Sequence, residues 1–217
     1  MFAHLAVPLV VAGLHVGLGV GALLSGRDRR TQRLFAALAG VLAAWSASVF
    51  QIRHAADETG GLLGQRVINI TFGLIPAVHY HLVRVATGTD ATHQTAVRVV
   101  YTLAGGFTLV ALFGLPLLVQ KVVPTSHGWA PVTGPLALAL FVYYLGVMAA
   151  TLTPAWRERR TALLAASLVM LVAPVSNFVG FILLRTGVIT RDLPPLLLPA
   201  GLVFSALVWF ATRESRS

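Results

Sequence analysis

The side chains that could do chemistry in this chain sit inside long apolar stretches, and they are histidines, amides and aromatics rather than acids or thiols. His15, His79 and His81 come first, because imidazoles from two helices are the usual axial ligands of a haem. Rise per residue places His15 and His79 about 7 Å apart in depth, and His79 and His81, two residues apart, point to nearly opposite sides of a helix. Interior histidines hydrogen-bonded to neighbours are therefore expected, with no cofactor and no metal site.

The amides and aromatics suggest a different chemistry. Gln65, Asn69, Pro76 and His79 share one helical face, Ser167, Met170, Pro174, Asn177 and Phe181 repeat the pattern further on, and Trp45, Ser48, Gln51, Tyr143 and Tyr144 add to it. Polar groups are costly in hydrocarbon and usually face the interior of a bundle. Trp45, Gln51, Asn69, Tyr143 and Asn177 form the candidate ligand site, a recess lined by aromatics and fixed by amide hydrogen bonds. The competing reading is interhelical hydrogen bonding that only holds the bundle together, on the order of 0.6 kcal/mol per contact.

Other chemistries lack their residues. All seven acids, Asp28, Asp57, Glu58, Asp90, Glu158, Asp192 and Glu214, fall in loops or at span ends, so no carboxylate is placed for a proton relay. The one lysine, Lys121, lies in a loop, which excludes a retinal Schiff base on the last helix. With no cysteine there are no disulfides, thiolate metal sites or cysteine nucleophiles. No metalloprotease motif, P-loop or Gly-x-Ser-x-Gly is present, and neither is the Pro-Gln dipeptide expected of triple-helix-repeat sugar transporters. No catalytic residue is assigned, and the chain is not expected to be an enzyme.

The elements that must position these groups are membrane helices. A mean hydropathy of +0.82, with 57% hydrophobic and 11% charged residues, is far from a soluble domain, where about a quarter of positions are charged. Seven apolar stretches are each long enough to cross roughly 30 Å of hydrocarbon: Phe2 to Ser25, Leu34 to His54, Leu62 to Ala86, Ala96 to Val119, Thr133 to Thr153, Thr161 to Arg185 and Leu193 to Thr212. The expected fold is one all-α seven-helix transmembrane domain over residues 1–217. Nothing basic precedes the first stretch, so it is expected to be a retained helix rather than a removed signal peptide.

Arginine marks every second loop. Arg27, Arg29, Arg30, Arg33, Arg84, Arg98, Arg157, Arg159, Arg160, Arg213 and Arg216 fall on one side, against Arg53, Arg66, Lys121, Arg185 and Arg191 on the other. By the positive-inside rule the N-terminus is outside and the C-terminus cytoplasmic. On that orientation Asn69 lies about 10 Å below the outer end of its helix, and Trp45 and Asn177 about 12 Å. The net charge of +9 is explained by anionic headgroups, so lipids and not nucleic acid are the expected partners. The longest outer loop, Gln120 to Val132, reads as a turn with Trp129 as an interfacial anchor.

Packing signals are concentrated in the first two spans. Gly13, Gly17 and Gly21, with Gly19 beside them, make a double small-xxx-small pattern, and Ala36, Gly40, Ala44 and Ser48 offer a matching strip, so a tight pair of spans 1 and 2 is expected through these residues. Interior prolines are expected at Pro8, Pro76, Pro116, Pro174 and Pro199. Pro76 and Pro174, near mid-span, are either static kinks or hinges.

The stretch Leu34 to Gly88, with Ala43, Ala44, Trp45 and Ser46 in span 2, Asp57 and Glu58 in the outer loop, and a third span through Phe72, Pro76 and His79 to a Thr-Gly, resembles the N-terminal seven-helix sensor region of bacterial membrane histidine kinases. Gly187 to Thr212 is similar to that family's last outer loop and seventh helix, so the resemblance covers essentially the whole chain. It implies an input module for two-component signalling that perceives an extracytoplasmic or lipid-borne ligand and passes a helix rearrangement to a cytoplasmic signalling partner. After Thr212 only Arg213, Glu214, Ser215, Arg216 and Ser217 remain, with no coiled coil, phosphoacceptor helix or ATP lid. Kinase activity is thus not expected in these residues; the chain is expected to be a stand-alone or excised sensor module, or a module that serves another purpose. The alternative class is a structural or accessory subunit of a larger membrane complex, holding pigment or lipid. A small-solute transporter would need charged groups at depth that the sequence lacks.

Overall fold

The computed structural model describes residues 3–25, 28–125, 128–185, 203 and 205–208. They form six long helices, α1 (Ala3–Leu24), α2 (Arg29–His54), α3 (Glu58–Ala86), α4 (Gln94–Phe113), α5 (Ala137–Arg157) and α6 (Thr161–Arg185), with one antiparallel hairpin, β1 (Val119–Thr125) and β2 (Gly128–Thr133), between α4 and α5. Helices α1 to α5 carry segments long and apolar enough to cross a membrane. α6 spans 25 residues, about 37 Å at the usual rise. The expected seventh span, Leu193 to Thr212, lies outside the described residues except for 203 and 205–208.

Helix starts follow side-chain capping rather than hydropathy. The Asp28 carboxylate accepts from the Arg30 N–H and the Thr31 hydroxyl, so α2 begins in the arginine-rich segment, five residues before the expected Leu34. Asp57 likewise accepts from Gly60 N–H and starts α3 at Glu58 rather than Leu62.

The fourth span ends earlier than expected. α4 stops at Phe113, and Pro116, expected inside a helix, lies instead in a 3-10 turn, Leu115–Leu117. Proline has no N–H to donate and clashes with the preceding helical turn, so the chain leaves the helix here. The segment expected as a plain turn is the hairpin, with Val122 opposite Pro131 and Pro124 opposite Trp129. Both strands are edges, where proline is tolerated. Gly128, at φ +107°, makes the turn, and a Cβ there would lie 2.6 Å from Arg53 Cα. Because β2 takes Thr133, α5 starts four residues later than expected and continues past Thr153 to include Pro154, an interior proline the span boundaries had left out.

Two contacts fix which loops share a face. Arg30 of the α1–α2 side pairs with Asp90 of the α3–α4 loop, and the Trp129 indole N–H on β2 donates to Ala55 O in the α2–α3 loop at 2.9 Å. The first is the arginine-rich face, the second the hairpin face. α3 is the central helix, packed on α2, α4, α5 and the hairpin, while α6 packs on α5.

The α1–α2 pair forms, but not through the expected glycines. Gly13, Gly17 and Gly21 are exposed and a Cβ on any of them would meet nothing within 4 Å; the same holds for Gly40. The contact runs through Gly19, where a Cβ would come to 3.3 Å from Ala39 Cβ and 3.6 Å from Ala36 O. Four-residue spacing defines a stripe on a helix but not which neighbour it faces.

Candidate functional site

The residues expected to line one recess are divided between two packing clusters. Trp45 lies in an apolar cluster with Phe35, Leu42, Tyr144 and Met170, whereas Tyr143 belongs to another with Tyr80, Ala104 and Leu140. The Asn69 amide donates to Gln65 O on its own helix at 3.0 Å, Gln51 is half-buried near the end of α2, and Asn177 lies outside the described side chains. Among the described residues Trp45, Gln51, Asn69 and Tyr143 are therefore not brought together around one cavity. Helical periodicity shows that a polar residue faces inward, but not which of several interhelical seams it enters.

Buried polar chemistry is found instead along α3. His79, fully buried, meets Ser167 of α6, with Nε2 to Oγ at 2.9 Å, and Ser167 also lies 2.9 Å from Leu163 O. A hydroxyl has one proton and a carbonyl can only accept, so Ser167 donates to Leu163 and the imidazole Nε2–H donates to Ser167. That places a proton on Nε2 of His79. His81 turns instead to α4, where Nδ1 lies 3.3 Å from the Tyr101 hydroxyl and the rings meet edge to face. The two histidines thus address different helices. His15 is buried in α1, and no cluster of three metal-ligating side chains occurs among the described residues.

Two tyrosines tie α5 into the bundle. Tyr144 stacks on Phe72 of α3 at 4.2 Å and donates to Met170 O of α6 at 3.2 Å. The Tyr143 hydroxyl lies 3.2 Å from both Gly73 O on α3 and Val100 O on α4. Pro76 and Pro174 are both buried within unbroken helices, Pro76 one turn before His79.

α4 and α5 both pack on α3 rather than on each other. Between them runs an open groove of about 590 Å³, floored by Tyr80, walled by Val99 and Val100 on α4 and Gly146 on α5, and ending at Thr92 and His93. None of the expected recess residues lines it. Sequence reading missed it because its walls are ordinary aliphatic positions; the signals were Gly146, which leaves one wall without a side chain, and Tyr80 two residues before Leu82 and four before Arg84. Arg84 lies over the Tyr80 ring, its guanidinium carbon 4.9 Å from the centroid.

The arrangement of the described residues can hold helices in register and admit an apolar chain from the side. A scan against protein-family models found no match, and a search of curated proteins found no relative.

Proposed function

We propose that this chain is a non-enzymatic signal-input module of the bacterial inner membrane, crossing it seven times with the N-terminus outside and the arginine-rich face in the cytoplasm, and relaying an extracytoplasmic or lipid-borne signal to a cytoplasmic signalling protein. The observation that carries this reading is the reach of α3. One continuous helix lies beneath Trp129 at the hairpin face and bonds to α6 through His79 and Ser167 nearer the arginine-rich face. A shift of the hairpin would therefore be felt by α3 and handed to α6, the helix that leads toward the expected seventh span. A signal biases such an equilibrium only through differential affinity for two arrangements.

The absence of native cysteine makes the test direct. Nitroxides at Thr87→Cys and Thr161→Cys, at the arginine-rich ends of α3 and α6, report their separation by pulsed electron spin resonance in lipid nanodiscs. The reading expects two distance populations whose ratio changes with Trp129→Ala, with a displacement of about 1–2 Å, as in helix shifts of known switches. A single distance unaffected by that substitution contradicts it.

A second reading, an accessory subunit of a larger membrane complex, is favoured by the exposed glycine face of α1. Gly13, Gly17 and Gly21 leave a helix side bare, where another helix could approach closely. Stoichiometric copurification of a membrane partner, lost with Gly17→Leu, would support this reading over the first.

A further inference from the structure

We propose that the groove between α4 and α5 is a binding site for one anionic phospholipid, an acyl chain lying along its apolar length and the phosphate held at Arg84. The inference does not depend on whether the chain signals.

The lining changes character along the groove in the way a phospholipid does. Thr92, His93 and Thr95 form the end at the arginine-rich face, and the walls beyond are Val99, Val100, Gly146, Val147 and Ala150. From His93 to Val100 is about 10 Å of helix rise, within the ~15 Å of hydrocarbon in one leaflet. The polar end thus lies at headgroup level and the apolar part at tail level. At the deep end, Tyr143 bonds to Val100 O and joins α4 to α5, so the cleft is blind inward and open sideways to lipid.

The cation beside the polar end is Arg84, which does not itself line the groove. It lies in the last turn of α3 with its guanidinium stacked on the Tyr80 ring that forms the floor. The acid in the adjoining loop, Asp90, is engaged by Arg30. A guanidinium prefers bidentate oxygen acceptors, and a lipid phosphate at this level supplies them. The His93 Nδ1–H donates to Thr89 O at 2.9 Å, which fixes the ring at the groove's mouth.

The test uses the purified full chain, with phosphatidylglycerol and phosphatidylcholine as probes. In native mass spectrometry the protein is expected to retain one phosphatidylglycerol in preference to phosphatidylcholine. Arg84→Gln should lower that preference about fivefold, the contribution of one surface arginine. Gly146→Phe, where a Cβ meets nothing within 4 Å, should abolish retention by filling the cleft. Retention with unchanged preference in both variants overturns the site. Should Gly146→Phe fail to fold, bimane on Val99→Cys decides. Quenching there by brominated phosphatidylglycerol must exceed that by brominated phosphatidylcholine, while a label at the exposed Leu109→Cys shows no preference; equal quenching at Val99 by both lipids overturns the proposal.

Discussion

Gly61 of α3 and Trp129 of β2 are in direct contact: a Cβ on Gly61 would stand 2.9 Å from Trp129 Cγ and 3.1 Å from its Cβ. The indole needs that space to reach Ala55 O, so one missing side chain lets the hairpin be fastened to the α2–α3 end. An expected interfacial anchor is, in the folded chain, a fastening between loops. Gly61→Ala should therefore push the indole away and cost about 1–3 kcal/mol, the usual range for overpacking. Trp129→Phe, which keeps the ring contact and loses only the hydrogen bond, should cost about 1 kcal/mol. Unfolding in detergent, followed by circular dichroism, measures both.

Gly64, one turn on, sets the approach of α2 to α3. A Cβ there would lie 2.6 Å from Ile52 Cγ1 and 3.4 Å from Ser48 O. Gly64→Ala is expected to destabilise by about 1–3 kcal/mol, and Ile52→Ala in the same chain to restore part of the loss. Double-mutant coupling energies report this; additive losses would show that the helices separate freely.

The glycines of α1 give opposite outcomes. Gly19→Leu must displace Ala39 and the α2 backbone near Ala36, so it should unfold the α1–α2 pair at lower temperature, by about 1–3 kcal/mol. Gly17→Leu points into open space and should change stability by less than about 0.5 kcal/mol. Thermal unfolding of the two variants side by side distinguishes the Gly19 contact from the stripe expected from spacing.

The parts legible in the sequence are those written as apolar length. α6 was placed residue for residue, and α3 and α5 to within four residues at either end, because hydrocarbon thickness dictates such runs. The start of α2 was misplaced since Asp28 caps a helix through Arg29, Arg30 and Arg33, residues a hydropathy reading assigns to a loop. The hairpin was hidden by Pro124 and Pro131, which argue against strands in general but not against a two-stranded ribbon with only edges. The candidate recess is a different matter, described only in part. Trp45 and Tyr143 are both buried, yet in different packing clusters, and that division depends on interhelical angles no single helix encodes. The groove, in turn, lies between α4 and α5, which pack on α3 rather than on each other, a property of neither sequence segment alone.

Ser167→Ala leaves the His79 Nε2–H without its acceptor. Interhelical hydrogen bonds in membrane proteins average about 0.6 kcal/mol and reach about 1.7, so a modest loss of stability is expected, with the fold retained. A double-mutant cycle of Ser167→Ala with His79→Phe separates the bond from its packing.

The central claim, that α3 links the hairpin to α6, is tested most directly by asking whether the two contacts act in series. The measurement is the Thr87–Thr161 label separation in nanodiscs for the parent chain, Trp129→Ala, Ser167→Ala and the double variant. The account predicts that Trp129→Ala alters the distance distribution in the parent but not once Ser167 is alanine. An undiminished effect of Trp129→Ala in the Ser167→Ala background would contradict it.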